Sequence, residues 1–159
     1  MTRLALAQHA VVAVRQIVAL GVPERTVSRR VAAGYWFWAQ RGVIAIVPPA
    51  LLTRMGRTMA GVLACRPRTL ASHRSAGALF ELRLRGRRWV DVTTPGATGG
   101  RREGIVRHSG ATIEPQDATT VDGIPCTTLA RTLLDIAEDR PSGSSSGRWT
   151  APPSCDSST

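Results

Sequence analysis

Residues 20–47 read LGVPERTVSRRVAAGYWFWAQRGVIAIV, and this stretch determines how the first third of the chain folds. Gly21 suits the residue just after a helix, where a left-handed conformation is common. Pro23 suits the first turn of a second helix, because its missing amide hydrogen has no partner there. Val27 and Val31 stand four residues apart, so the helix that begins at Pro23 has one buried side.

The segments around this helix complete a recognisable order. Apolar spacing predicts two short helices before it, over residues 4–10 and 14–20. After it, apolar runs at 35–39 and 43–47 flank a Gly-containing turn at 40–42, which predicts a β-hairpin. Helix, helix, short turn, helix and hairpin is the order of a winged helix-turn-helix.

Such a domain binds DNA through the second helix of the pair and through the hairpin. Arginine suits both contacts, because its guanidinium group forks onto guanine or onto phosphate. The predicted DNA-binding residues are Arg25, Thr26, Ser28, Arg29, Arg30, Gln40 and Arg41. The alternative is that these side chains form the solvated face of a small packing domain.

The charge of the chain favours a polyanionic partner. The 159 residues carry a net charge of +10, and all 21 basic residues are Arg. Arg-rich coding in a GC-rich genome explains part of this bias, but a basic surface attracts nucleic acid whatever its origin. The excess lies before residue 108, whereas residues 108–140 are net acidic. We also expect a cytoplasmic protein with no membrane contact, because neither a signal peptide nor a long apolar run is found.

The residue types needed for catalysis or metal binding are scattered. Cys65, Cys126 and Cys155 form no ligand pattern and no expected disulfide, and no metal or cofactor is predicted. His73-Arg74-Ser75 opens a predicted helix and could bind an anion there, but a capping and packing role is favoured. The acids Glu114, Asp117 and Asp122 lack the clustering that a metal-dependent nuclease needs. We therefore expect a protein that is not an enzyme.

Several segments together resemble the N-terminal part of AbiEi-type antitoxins. In that family the hairpin carries an Arg-Gly-Val-Tyr motif; here Arg41-Gly42-Val43 match and Ile44 replaces the Tyr. Two further segments are similar to the middle of the family, VLACRPRTLASHRSAGALFEL (62–82) and VDGIPCTTLARTLLDIAED (121–139). The resemblance implies DNA binding by the N-terminal domain. Many proteins with this N-terminal part also carry a C-terminal endonuclease-like domain similar to very-short-patch repair nucleases. In those proteins, further helices and then the nuclease domain follow the segment that corresponds to residues 121–139.

The predicted architecture is α+β, with a winged helix-turn-helix at 1–50, a small α+β domain at 51–139 and a disordered tail at 140–159. Helices are expected over 54–65 and 73–82, the second capped by Ser72. Thr127 or Thr128 caps a last helix in which Arg131 and Asp135 form an i,i+4 surface pair. The apolar side of this helix is Leu129, Leu133, Leu134 and Ile136. Exposure of that side predicts self-association.

Three functions remain open from the sequence. The first is a transcriptional autorepressor of a type IV toxin–antitoxin-like operon, bound to double-stranded DNA. The second is an antitoxin that contacts a nucleotidyltransferase toxin directly. The third is a truncated, non-catalytic remnant of a winged-helix and endonuclease fusion. The residues from Pro141 onward can be back-translated with GC-rich codons and read again in a frame moved by two bases. The resulting peptide has the spacing of an amphipathic helix and is similar to the continuation of the family. We therefore expect that the tail is encoded in a shifted reading frame.

Overall fold

The computed structural model describes residues 1–65, 67–84, 88–96, 100–108 and 112–138. Within these ranges the chain is mixed α and β, with six α-helices and two sheets. The predicted tail at 140–159 lies outside the described residues. None of the helices in the described ranges is both long enough and apolar enough to cross a membrane.

The first sheet and its helices come from the first 45 residues. The elements are α1 (Thr2–Ala7), β1 (Val11–Ala13), α2 (Val14–Ala19), α3 (Glu24–Ala32), β2 (Phe37–Gln40) and β3 (Val43–Ala45). The strands are antiparallel in the order β1-β3-β2. The first helix was predicted to continue to residue 10, but His9 and Ala10 adopt positive φ angles and lead into β1. Strand β1 was not predicted, because its apolar run resembles a helix extension.

The second sheet comes from the rest of the chain. The elements are α4 (Arg54–Leu63), β4 (Leu70–Ala71), α5 (His73–Leu79), β5 (Val90–Thr93), β6 (Gly100–Arg102), β7 (Ile105–His108), β8 (Ala118–Val121), β9 (Ile124–Thr127) and α6 (Leu129–Glu138). The strand order is β6-β7-β5-β4-β9-β8, with β5–β7 and β4–β9 parallel and the other pairs antiparallel. Residues 95–100 (PGATGG) have the Gly- and Pro-rich composition that predicts a loop, but the last of them, Gly100, begins strand β6. The dipeptide Asp122-Gly123, which is typical of a tight turn, joins β8 to β9, and both residues have positive φ angles.

Helix α4 lies between the two sheets. The first sheet points Val12 and Ile44 toward a core that it shares with the helices before and after β1. Its other face, including Val11, shares a second core with Met59 of α4 and with residues of the second sheet. A Cβ atom at Gly61 of α4 would come within 2.8 Å of Val90 on β5, so this helix approaches the second sheet closely. One core therefore extends across α4.

The start of α5 differs from the expected cap. Ser72 occupies the N-cap position, but its side chain makes no capping hydrogen bond. Instead, Thr93 Oγ1 donates to Ser72 Oγ over 2.8 Å, which turns the hydroxyl toward the sheet. The helix also ends at Leu79 instead of residue 82, and Glu81 adopts a positive φ. The prediction that Ser72 is the N-cap residue is therefore confirmed, but its hydroxyl accepts a hydrogen bond from Thr93 and makes no capping hydrogen bond to the helix.

Helix α6 turns its polar residues inward. Thr128 is its cap, with the Arg131 amide 3.5 Å from Thr128 Oγ1, while the Thr127 hydroxyl lies 2.7 Å from that of Thr132. Thr132 and Asp135 are buried. The predicted apolar side is mostly exposed, including Leu129, Leu133 and Leu134, whereas Ile136 is half-buried. Hydrogen bonding between hydroxyl groups therefore sets which side of this helix faces the protein.

Candidate nucleic-acid interface

Helix α3 buries one valine and exposes a polar face. Val27 is fully buried in the core shared with Ile44. Arg25, Ser28 and Arg29 are exposed, and their i, i+3, i+4 spacing places them side by side on the outer face of the helix. The turn from α2 to α3 is short, with Gly21 at a φ of +83°. The sequence therefore yields a fixed helix with a basic outer surface.

The charges on this face are not neutralised by the rest of the described chain. Among the described residues, no carboxylate lies within ion-pairing distance of Arg25 or Arg29. The Arg30 guanidinium group lies over the Trp36 ring, 5.2 Å from its centroid. Thr26 is half-buried. Of the five predicted residues on this helix, Arg25, Ser28 and Arg29 are thus free to contact a ligand directly. Arg30 instead packs its guanidinium group on the indole ring of Trp36.

The tip of the β2–β3 hairpin lies beside the start of α2. The Val14 amide donates to the Gly42 carbonyl over 2.8 Å, and Arg41 at the tip is exposed. Arg41, Arg15 and Glu24 line one cleft of about 540 Å³. This cleft connects the hairpin tip with the first turn of α3.

Two residues of this surface differ from the sequence-based expectation. Arg15 was not identified, because a single arginine in a short helix gives no pattern; its Nη1 donates to the Leu63 carbonyl over 2.6 Å. Gln40 is half-buried, and its amide packs against Gly104 in the turn between β6 and β7. The structure therefore places Arg15 and Arg41 in the lining of the same cleft, whereas the Gln40 side chain packs against the second sheet.

A second polar cluster lies beneath the start of α5. The rings of His73 and His108 stack with centroids 3.5 Å apart and an interplanar angle of 14°. His108 Nε2 lies 3.0 Å from Asp91 Oδ1, and His73 Nδ1 lies 3.9 Å from Asp135 Oδ2. The Asp91 amide donates to Ser75 Oγ over 2.8 Å. This cluster was not predicted, because three of its members are far apart in the sequence.

The chemistry of this cluster is that of a buried polar network. Asp91 is 1% exposed, and its carboxylate faces the His108 ring nitrogen. Within the described part of the chain, no group of three or more His, Cys, Asp or Glu residues could hold a metal ion. The arrangement orients side chains in the interior and holds α5 against β5 and β7.

Arg131 links α6 to the segment before β8. Its Nε donates to Asp135 Oδ1 over 2.8 Å, and its Nη1 lies 3.2 Å from both Asp117 Oδ2 and the Thr112 carbonyl. The hydrogen bond to Asp135 raises the pKa of the Arg131 guanidinium group. The predicted i,i+4 pair is present, but Asp135 is buried, so it is more than a surface pair. Elsewhere in the core, burial raises the pKa of the Cys126 thiol.

Comparison with known proteins adds no identification. No protein-family model matches the chain. No curated protein matches it either. The function is therefore inferred from the residues and the geometry of the chain itself.

Proposed function

We propose that residues 1–50 form a winged helix-turn-helix that binds duplex DNA, and that the chain is a transcriptional repressor of the AbiEi-antitoxin kind. The order helix, strand, helix, helix, strand, strand and the strand order β1-β3-β2 support this domain type. The observation that carries the proposal is the exposed row Arg25, Ser28 and Arg29 on α3. An exposed row of donors on one helix face suits DNA reading, and Glu24, the acid in the first turn of the same helix, forms no ion pair with Arg25 or Arg29 among the described residues.

The proposed complex places α3 in the major groove. An α-helix with its side chains is about 10–12 Å across, which matches the width of that groove. Arg25 and Arg29 donate to guanine edges or to flanking phosphates, and Ser28 contacts either kind of group. Arg15 and Arg41, which line the neighbouring cleft, approach the phosphate backbone. Phosphate contacts fix the position of the helix, whereas base contacts provide sequence preference.

The test is binding of the full chain to two labelled duplexes over a range of salt concentrations. One duplex comes from the region upstream of the protein's own gene, and the other has the same composition in scrambled order. We expect the upstream duplex to be preferred, and the preference to persist at physiological salt. Equal binding to both duplexes that disappears steeply with salt would indicate phosphate attraction alone and would refute a sequence-reading repressor.

Variants separate the two kinds of contact. If Arg25 contacts a phosphate, Arg25→Gln weakens binding to both duplexes equally and lowers the salt slope by about 0.9. If Arg29 contacts a guanine, Arg29→Gln weakens binding to the upstream duplex by roughly tenfold to a hundredfold and reduces the preference. Arg3→Gln is the matched control, since Arg3 is exposed on α1, away from α3. An Arg25→Gln/Arg29→Gln protein that binds like Arg3→Gln would contradict the proposed interface.

A further inference from the structure

A pocket of about 320 Å³ opens where strand β4 ends and strand β5 continues. Strand β4 pairs with β5 only at Val92 and Thr93. Before those residues, α5 replaces the missing strand, and Ser75 Oγ accepts the Asp91 amide hydrogen. Helix α4 adds Thr58 to the lining of the pocket. The pocket is therefore built from residues of α4, α5 and β5 and of the segment that leads into β5.

Arginine side chains dominate the wall of this pocket. They are Arg54, Arg57, Arg74 and Arg88. Within the described part of the chain, none of the four forms an ion pair with a carboxylate. The lining includes one acid, Asp91, which is almost fully buried and lies 3.0 Å from the His108 ring nitrogen. Among the described lining residues, four arginines thus face a single carboxylate, so the pocket has an excess of positive charge.

Two arginines of this wall differ in their hydrogen bonding. Arg57 Nη1 donates to the Leu52 carbonyl over 2.6 Å, which fixes its guanidinium group at the start of α4. Arg74 Nε is buried and has no hydrogen-bond partner in the structure. Buried polar groups are nearly always hydrogen-bonded, so a buried unpaired donor indicates a missing acceptor. The acceptor that suits a guanidinium group best is a carboxylate or a phosphate.

The rim of the pocket carries an aromatic side chain. Trp89 lines it and is 37% exposed. An indole ring stacks on any nucleobase, and such stacking depends little on the identity of the base. The volume lies at the lower end of the range for small-molecule sites and is concave, so it suits a mononucleotide better than the side of a duplex.

We propose that this pocket binds a nucleoside phosphate, with its phosphates on Arg54, Arg74 and Arg88 and its base against Trp89. The proposal does not depend on DNA binding by α3. Arginine can form bidentate hydrogen bonds with phosphate oxygens. Ser75 and Thr58, which also line the pocket, add hydroxyl donors. No bond is made or broken in this binding step.

The test is calorimetric titration of the full chain with ATP and with GTP. Adenosine and inorganic triphosphate are titrated in parallel, because each contains one half of the proposed ligand. We expect micromolar binding of both nucleotides, no detectable binding of adenosine, and inorganic triphosphate at least about tenfold weaker than ATP. Inorganic triphosphate that binds as tightly as ATP would overturn the placement of the base on Trp89.

Variants test the lining directly. Arg54→Gln and Arg88→Gln alter exposed side chains, and each is expected to weaken ATP binding about tenfold. Trp89→Leu is expected to weaken ATP binding while leaving inorganic triphosphate unchanged. Arg25→Gln on α3 is the matched control and should bind ATP like the original chain. Unchanged ATP affinity in both lining variants would overturn the proposal.

Competition separates this site from the proposed DNA interface. Duplex DNA added to the Arg25→Gln/Arg29→Gln protein should leave bound ATP in place. If the duplex displaces ATP from that protein, the pocket is a DNA-phosphate contact and the nucleotide proposal fails. If ATP binds as expected while neither duplex binds, the DNA proposal fails and the nucleotide proposal stands.

Discussion

Replacing Arg131 with Met should destabilise the fold by about 3 kcal/mol. The change keeps the aliphatic stem of the side chain and removes the guanidinium group. That group makes three hydrogen bonds, to Asp135 Oδ1, Asp117 Oδ2 and the Thr112 carbonyl. The first of these is decisive, because the Asp135 side chain is only 6% exposed.

The magnitude follows from what remains after the substitution. Removing one partner of a buried ion pair costs about 3–5 kcal/mol, since the other charge stays buried without compensation. The Arg131 side chain is 20% exposed, so water reaches part of the pair and the cost falls at the low end of that range. The Asp135 Oδ2 atom is buried and has no hydrogen-bond partner, so the loss of Arg131 would leave both carboxylate oxygens without one. A loss of this size lowers the melting temperature by roughly 6–12 °C.

Urea denaturation followed by circular dichroism measures this loss. The midpoint should fall while the slope stays constant, because the surface exposed on unfolding is unchanged. Arg3→Met on exposed α1 is the control and should change the free energy of unfolding by no more than about 0.5 kcal/mol. Arg131→Met/Asp135→Leu, which removes both charges, should recover most of the loss. An Arg131→Met protein as stable as Arg3→Met would refute this account of the pair.

Three further changes test other parts of the fold. Gly56→Ala should lower the free energy of unfolding by about 1–3 kcal/mol, because its Cβ would lie 2.7 Å from the His9 carbonyl oxygen; calorimetry measures this, and a gain in stability would contradict it. The original chain should self-associate through the exposed side of α6, and Leu133→Glu/Leu134→Glu should reduce this; a monodisperse monomer of the original chain in light scattering would argue against it. The raised pKa of the Cys126 thiol means that the folded state holds its proton more tightly, so stability falls as pH rises past the ordinary thiol value of about 8.5. Cys126→Ala should remove this fall in urea denaturation at alkaline pH, and an unchanged pH profile would count against burial as its cause.

The positions of the glycines and the spacing of the apolar residues predicted much of the first sheet and its helices. Gly21 and Gly42 adopt positive φ angles at the predicted helix end and in the predicted turn, and Gly34 does so just after α3. The helix around Val27 and the hairpin that follows it are present within two residues of the predicted bounds. Strand β1 escaped prediction, because its residues are buried on both faces of the sheet and therefore show no alternation.

The interior polar groups could not be predicted from local patterns. In α6, the leucines at helical spacing defined an apolar side, but no local pattern indicated that Thr132 and Asp135 would be the buried residues. Their placement depends on Thr127 and Arg131, whose roles appear only once β9 and α6 are packed. The arginine-lined pocket likewise joins α4, α5 and β5, so its members have no common spacing in the sequence.

The position of α4 limits how this protein can be rearranged in evolution. Val11, Ala13, Val43 and Ala45 on the back of the first sheet share their core with α4 and the second sheet. A gene fusion that moved only the first 50 residues to another protein would leave those side chains facing water. The transferred segment would need a substitute helix from its new host. We therefore expect that a gene fusion which transfers the basic helix α3 to another protein also transfers α4, so that the two helices move as one unit.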